Sequence, residues 1–187
     1  MKRVSRRSFL YRSTALSTGL TALSASRVLG ANNRVNVAVM GIRGRGRALA
    51  AEFAQHPDVD VTAVCDVDDS FFAAAIKGVT HQQKPEPRTE RDFRRLLEDK
   101  SIDAVVNATP NHWHALATIW ACQAGKDCYV EKPISHNMTE AKRMVEAVHK
   151  YKRVVQVGTQ RRSAQFLIDA ASYVQSGKLG KIAMARA

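Results

Sequence analysis

Cysteine is scarce in this chain, and its pattern argues against a disulfide-stabilised protein. The 187 residues contain three cysteines, Cys65, Cys122 and Cys128, and no Cys-x-x-Cys pair. An odd number without paired spacing is not the pattern of a disulfide framework. We therefore expect three buried thiols that pack as small apolar side chains.

Long hydrophobic runs are also lacking. The most apolar part of the N-terminus, residues 13–26, is short and contains serine, threonine and glycine, so it does not predict a membrane-spanning helix. With 45% hydrophobic and 25% charged residues the chain is not disordered either. Its length predicts one globular domain, or one domain with the start of another.

Acidic residues are absent from the first 31 positions, which explains half of the net charge of +12. Six of the 29 basic residues lie there, and the rest of the chain contains the other 23 together with all 17 acidic residues. Many of these basic residues are spread along predicted helices, where charged side chains face solvent: Arg91, Arg94, Arg95, Lys142 and Arg143. Neither zinc-finger spacing nor a basic zipper region is present, so we expect no nucleic-acid partner.

The basic N-terminus has the pattern of an export signal. Ser5-Arg6-Arg7-Ser8-Phe9-Leu10 combines two adjacent arginines with a following Phe-Leu pair. This pattern is typical of twin-arginine signals, which carry folded proteins, often with a cofactor bound. The sequence predicts a signal over residues 1–31, the twin-arginine export machinery as a partner, and a periplasmic or exported protein. A basic tail without this role, or a signal retained as an anchor, stays open.

After residue 31, short β-branched runs alternate with helical patterns. Strands are predicted at 34–40, 59–65, 102–108, 128–130 and 153–157, with a further strand beginning at 181–187. Helices are predicted at 45–55, 68–79, 92–99, 112–124, 138–151 and 163–176, and the polar stretch 80–88 as a loop. This alternation predicts an α/β protein with a doubly wound parallel sheet and helices on both faces.

A glycine-rich turn follows the first strand. In the G-x-G-x-x-G fingerprint of dinucleotide-binding domains, the first glycine makes the turn and the third lets helix and strand approach closely. Gly41 and Gly46 match these two positions, whereas Arg43 stands at the middle one and Gly44 comes one residue late. The Arg43 guanidinium could pair with a phosphate instead.

Asp66 ends the second strand, 20 residues beyond Gly46. A carboxylate there can accept hydrogen bonds from both ribose hydroxyls and repels a 2′-phosphate, which favours NAD over NADP. Arg43 and Arg45 could accept a 2′-phosphate, so NADP stays possible. Together with the turn, Asp66 predicts a Rossmann-type domain, while a glycine turn and a capping aspartate without a ligand is the alternative.

Further polar clusters follow later strands, at the edge where such sheets bind ligands. They are Thr109-Pro110-Asn111-His112-Trp113-His114, Glu131-Lys132-Pro133 and Gly158-Thr159-Gln160. His112 and His114 could suggest a metal pair, but a third ligand with suitable spacing is missing, so we predict no metal site. Trp113 and Trp120 are expected to be packing residues.

With the signal and the glycine turn, the segments ATPNHWHALATIWACQAGKDCYVEKP and VQVGTQRR resemble the Gfo/Idh/MocA oxidoreductases, relatives of glucose–fructose oxidoreductase and inositol dehydrogenase. The resemblance covers roughly residues 35–187. It implies that the following residues bind the dinucleotide: Gly41, Arg43, Gly44, Gly46, Asp66, Thr109, Pro110, Asn111, His112, His114, Glu131, Lys132 and Gln160.

The resemblance gives Lys132 the catalytic role. In such enzymes the lysine lies near the reacting carbon, and a buried or partly desolvated ammonium there can hydrogen-bond the substrate hydroxyl as hydride leaves. Pro133 could help to fix this turn through a cis peptide bond. Without the resemblance, Lys132 would be taken for a surface lysine.

The resemblance also divides the chain and suggests its activity. It implies a signal over 1–31, an NAD(P)-binding domain over 32–160, and the start of a truncated substrate domain over 161–187. The expected activity is hydride transfer between a nicotinamide cofactor and a sugar, cyclitol or sugar derivative, by a protein that is a homo-oligomer when full length. An NAD-dependent glycoside hydrolase of the same architecture and a non-catalytic nucleotide-binding fragment are the alternatives.

Overall fold

A computed structural model describes residues 34–186, so the predicted signal over 1–31 lies outside the described residues. The strands are β1 (Val35–Met40), β2 (Val59–Cys65), β3 (Arg88–Glu90), β4 (Ala104–Asn107), β5 (Asp127–Glu131) and β6 (Val155–Gly158). The α-helices are α1 (Arg45–Ala54), α2 (Phe72–Thr80), α3 (Phe93–Glu98), α4 (Asn111–Gln123), α5 (Met138–Tyr151) and α6 (Gln165–Gln175). Two short 3-10 helices span Asp69–Phe71 and Gln160–Ser163.

The strands form one parallel sheet in the order β3-β2-β1-β4-β5-β6. The chain winds outward from β1 to β3 and then returns to place β4 on the other side of β1. The loops after β1 and β4 therefore lead away in opposite directions, and a crevice opens between them at the carboxyl edge of the sheet. The predicted Rossmann-type doubly wound fold is confirmed.

Alternate side chains of the buried strands belong to two separate hydrophobic clusters, one on each face of the sheet. Val37 and Val39 of β1 belong to the cluster with Leu49 of α1, whereas Ala38 and Met40 belong to the opposite cluster with α4 and α5. Parallel strands buried on both faces require this continuous apolar sequence. The predicted helices on both faces of the sheet follow from it.

A bulge in β2 adjusts this alternation. Val37 pairs with Val61 but Ala38 pairs with Ala63, so Thr62 is an extra residue opposite β1. After this insertion, side chains at even-numbered positions point to the face that odd-numbered ones occupied before it. Val61 and Val64 consequently belong to the same cluster although they are three residues apart.

Two predictions for the chain course were wrong. Arg88–Glu90, at the end of the stretch predicted as a loop and just after it, forms the edge strand β3 beside Ala63–Cys65. Three polar residues give no periodic signal, and only pairing with β2 makes them a strand. The strand predicted at 181–187 is absent from the described residues 181–186, which have no regular secondary structure and no sheet partner.

The last part of the described chain makes few packing contacts with the rest of the protein. Helix α6 has no buried residue within the described part of the protein and exposes Phe166, Ile168 and Tyr173. The predicted domain boundary near residue 160 stays a prediction. Among the helices of residues 34–186, none has the length and apolar character needed to cross a membrane.

Candidate dinucleotide-binding site

The glycine turn between β1 and α1 is closely packed at its first and third glycines. Gly41 has a φ of +78°, and a Cβ there would lie 2.7 Å from the carbonyl oxygen of Ala108. A Cβ on Gly46 would lie 2.0 Å from the carbonyl oxygen of Gly41. Both positions therefore require glycine, as the fingerprint predicts.

Gly44 has a different role. It is the N-cap of α1, and a Cβ on it would meet no heavy atom of the described residues within 4 Å. No side chain of the described chain caps α1, and the first turn of this helix contains no acidic residue. The amides and the positive end of the helix dipole therefore remain available for an anion such as a pyrophosphate.

Asp66 connects the turn after β1 to the loop after β2. One carboxylate oxygen accepts a hydrogen bond of 2.9 Å from the Ile42 amide, and the other accepts one of 3.2 Å from the Asp68 amide. Each carboxylate oxygen has a second acceptor position, so the group can still receive ribose hydroxyls. The structure thus places Asp66 at the edge of the crevice, where the sequence predicted it.

A cleft of about 560 Å³ opens beside Asp66. Its lining includes Gly41, Asp66, Val67, Thr109, Pro110 and Trp113. Phe93 stacks on Trp120 at 5.6 Å and meets Trp113 edge to face at 6.0 Å between ring centres. Trp113 packs on Phe93 as expected and remains 40% exposed at this cleft. Phe93, which the sequence analysis did not assign to the site, forms part of the same wall.

The arginines of the turn lie in different places. The Arg43 guanidinium carbon lies 5.6 Å from the centre of the Phe71 ring, on the side of the loop after β2. Arg45 instead binds Glu131 and Glu52, with hydrogen bonds of 3.0 and 2.9 Å. The Arg45 guanidinium is thus paired with two carboxylates, one of them at the end of β5, and a 2′-phosphate there would have to compete with them.

A buried polar network shapes the turn after β4. The amide nitrogen of Asn107 donates to the carbonyl oxygen of His114 at 3.2 Å, and its amide oxygen accepts from the Thr109 hydroxyl at 2.6 Å. Asn107 is completely buried. From sequence, Asn107 is predicted only as part of a strand. The signal that could have identified it is a polar side chain at the last position of an otherwise apolar run.

His114 joins two loops of the site. Its Nδ1 lies 2.6 Å from the carbonyl oxygen of Pro133 and its Nε2 lies 2.7 Å from that of Thr109. Both partners are acceptors, and the tautomer of the ring decides which nitrogen donates. The ring is 2% exposed and both nitrogens contact backbone carbonyls, so His114 holds the two loops together, and its predicted contact with the cofactor stays a prediction. Within residues 34–186, no group of three potential metal-ligating side chains is present.

Glu131 ends β5 with its carboxylate beside the start of α1. It is 6% exposed and receives Arg45 Nε at 3.0 Å, the Tyr129 hydroxyl at 3.4 Å and the amide of Lys132 at 3.2 Å. Burial, and then the charge of Glu131, raises the pKa of Tyr129. A Cβ on Gly158 would lie 3.1 Å from this carboxyl group, so glycine at the end of β6 makes room for it.

Lys132 follows with an exposed side chain, and the expected desolvation of its ammonium group beside bound substrate stays a prediction. Its peptide bond with Pro133 is cis, as the sequence analysis allowed. Asn111, His112 and Gln160 are also exposed. The structure thus groups Gly41, Asp66, Thr109 and Pro110 around the cleft, and brings Glu131 to Arg45 at the start of α1.

Comparison with known proteins decides the family. The model of the Gfo/Idh/MocA family, described as an oxidoreductase family with an NAD-binding Rossmann fold, matches residues 35–159. The chain belongs to this family. NAD is accordingly the cofactor for which this Gfo/Idh/MocA domain is built, and the uncapped α1, the two close-packed glycines and Asp66 fit it.

Similar curated proteins include some with glycosidase names. A glycosyl hydrolase family 109 protein of Stenotrophomonas maltophilia is 36% identical over 126 residues, covering 64% of this chain and 28% of the relative. An alpha-N-acetylgalactosaminidase of Shewanella oneidensis is 27% identical over 120 residues, covering 62% of this chain and 26% of the relative. The chain therefore spans little more than a quarter of the length of these proteins.

Similar solved structures include dehydrogenases. Scyllo-inositol dehydrogenase of Lactobacillus casei, with NAD(H) and scyllo-inositol bound, superposes with a TM-score of 0.68 at 24% identity, over 80% of this chain and 43% of the other. GenD2 from gentamicin A biosynthesis, in complex with NAD, gives 0.68 at 25% identity over 78% and 40%. These likenesses agree with the fold of this Gfo/Idh/MocA domain.

Proposed function

We propose that the chain is the dinucleotide-binding part of an NAD-dependent oxidoreductase that acts on a carbinol carbon of a sugar, cyclitol or sugar derivative. The observation that carries the proposal is the position of Lys132. This exposed lysine directly follows Glu131, whose carboxylate is hydrogen-bonded by Arg45 at the start of α1. Because β5 ends at Glu131, the exposed Lys132 side chain starts from the carboxyl edge of the sheet, the edge at which α1 also begins.

The roles of the residues follow from their contacts. When bound, NAD supplies the hydride acceptor. Lys132 donates a hydrogen bond to the substrate oxygen and stabilises the negative charge on it as its hydroxyl proton is released to solvent and hydride leaves the carbon for the cofactor. His114 takes no part in proton transfer, since both ring nitrogens are bound to backbone carbonyls, but it holds the loop of Pro133 against that of Thr109.

A glycoside hydrolase that uses NAD is the second candidate. It is favoured by the names of the curated relatives, one of them at 36% identity. In such an enzyme, transient oxidation of the sugar permits elimination of the glycosidic oxygen, and the cofactor returns to its starting state. The two activities differ in products, because the hydrolase releases free sugar without net NADH. NAD binding without turnover of any sugar would instead support the non-catalytic fragment.

The experiment uses the native protein purified from cells. It is incubated with NAD and a panel of aldoses, cyclitols and aryl glycosides, and both NADH and released aglycone are measured. Net NADH that depends on a sugar or cyclitol supports the oxidoreductase, whereas aglycone release without NADH refutes it. We expect Lys132→Ala to lower kcat by about 10²-fold while NAD binding is retained. Lys142→Ala, at an exposed position on α5, is the matched control.

We also propose export through the twin-arginine pathway and assembly of the full-length protein into a homo-oligomer. The export proposal is supported by Arg6-Arg7 and the Phe9-Leu10 pair that follows. Replacing Arg6 and Arg7 together by lysine should retain the protein in the cytoplasm. Cell fractionation followed by immunoblotting measures this, and unchanged export of the double variant would contradict the proposal.

A further inference from the structure

Arg45 is the first residue of α1, and its guanidinium bridges two carboxylates. Its Nε donates to Glu131 at 3.0 Å, while Nη1 donates to Glu52 at 2.9 Å. The two partners differ in burial, since the Glu52 side chain is 54% exposed and that of Glu131 only 7%. The contact with Glu131 is therefore the one that solvent screens less.

Glu131 depends on this partner. Its other hydrogen bonds within the described residues come from the Tyr129 hydroxyl and the Lys132 amide, neither of which carries a positive charge at the contact. A carboxylate buried in this way is costly unless a cation compensates it. Burial lowers the pKa of Arg45, but hydrogen bonds with Glu131 and Glu52 outweigh this effect and keep the pKa above its ordinary value.

The position of this pair on α1 is unusual for a cation. The first turn of a helix favours negative charge, and an arginine there opposes the helix dipole. Arg45 nevertheless directly follows Gly44, the uncapped N-cap at which a dinucleotide phosphate would approach. Without Arg45, those phosphates would approach a helix end beside a buried, uncompensated carboxylate.

We propose that Arg45 is a positioning residue of the dinucleotide site, which fixes Glu131 against the start of α1 and neutralises its charge so that the pyrophosphate can bind. The inference rests on the dinucleotide-binding part of the proposed function and is independent of the substrate. It assigns a role to Arg45 that the glycine fingerprint, which leaves this position variable, does not.

The test is a double-mutant cycle on the 187-residue chain, with NAD affinity measured by calorimetric titration. In the Glu131 background, Arg45→Gln should weaken NAD binding about tenfold, or ~1.4 kcal/mol. In the Glu131→Gln background the same change should weaken it less than about threefold, because no buried charge then remains to be neutralised. An equally large effect in both backgrounds would overturn the proposal, as would no effect in either.

Ligand fragments separate this role from general damage to the site. Arg45→Gln should weaken ADP-ribose as much as NAD, since both contain the pyrophosphate, and should leave adenosine unchanged. An equal loss for adenosine would overturn the proposal. Arg45→Lys keeps the cation, so its NAD affinity should stay within about threefold of the wild type, and a tenfold loss there would also overturn it. Arg45→Lys still tests the proposal if Arg45→Gln does not fold.

Arg47→Gln is the matched control. Arg47 lies on the same helix with an exposed side chain and makes no ion pair among the described residues. Arg47→Gln removes one positive charge, as Arg45→Gln does. It should bind NAD as the wild type does, and a loss equal to that of Arg45→Gln would overturn the specific role. Failure of the wild-type chain to bind NAD would refute the proposed function itself, whereas binding without coupling between positions 45 and 131 refutes only this inference.

Discussion

Replacing Gly46 by alanine should destabilise the protein far more than the same change at Gly44 or Gly78. A Cβ at this position would lie 2.0 Å from the carbonyl oxygen of Gly41 and 3.1 Å from the Cβ of Ala108. The first contact is with backbone, so no side-chain rotation can relieve it. Helix α1 would have to move away from the turn after β1 by more than an ångström.

The magnitude follows from the cost of overpacking, which is typically 1–3 kcal/mol and sometimes more. Because the backbone must move, we expect Gly46→Ala to lower the free energy of unfolding by about 3 kcal/mol. For a chain of this size each kcal/mol lowers Tm by roughly 2–4 °C, so the expected decrease is about 6–12 °C. NAD affinity should fall as well, because the displaced helix carries the amides at its N-terminus.

Two other glycines are the controls. A Cβ on Gly78, inside α2, would meet only the Ala51 Cβ at 3.7 Å, an ordinary contact, so Gly78→Ala should stabilise the protein by about 0.5–1 kcal/mol. Gly44→Ala should change the free energy of unfolding by only about 0.5 kcal/mol, because its Cβ enters open space. Thermal unfolding followed by circular dichroism measures all three variants. A Tm for Gly46→Ala close to that of Gly44→Ala would refute the reasoning.

Two further predictions concern the cofactor and the thiols. Asp66→Ala should weaken NAD binding and reduce the discrimination against NADP, measured by titration with both dinucleotides; an unchanged preference would contradict the ribose assignment. Burial raises the pKa of Cys128 from 9.0 to about 12. Its thiol should therefore resist alkylation at pH 8 until the protein is unfolded, as mass spectrometry of labelled protein would show, and rapid labelling of the native protein would contradict this burial. Because the raised pKa favours the neutral thiol in the folded state, its contribution to stability is complete below about pH 9 and is lost as pH rises towards 12.

The parts of the fold that local pattern specifies were predictable. β-branched runs, helical periodicity and the glycines at positions 41 and 46 each act over a few residues, and they predicted five of the six strands in the sheet. The 20-residue interval from Gly46 likewise located Asp66. Lys132 was assigned by resemblance to a family, and its chemical role stays a prediction.

Contacts between distant segments were not predictable. Arg45 and Glu131 are 86 residues apart, and nothing in the turn sequence shows that its arginine serves a carboxylate rather than a phosphate. The roles of Asn107 and His114 depend on backbone carbonyls and amides, which every residue possesses and which no sequence pattern marks.

By itself, the sequence determined the doubly wound sheet, the dinucleotide turn and the acid that follows the second strand, because periodicity, glycine conformation and strand ends are local properties. Only the tertiary structure decided that Arg88–Glu90 is a strand, that His114 joins two loops and that Arg45 neutralises Glu131. Each of these depends on which segments the sheet brings together, and hydrogen bonds and charges between segments exist only once the fold has placed them in contact.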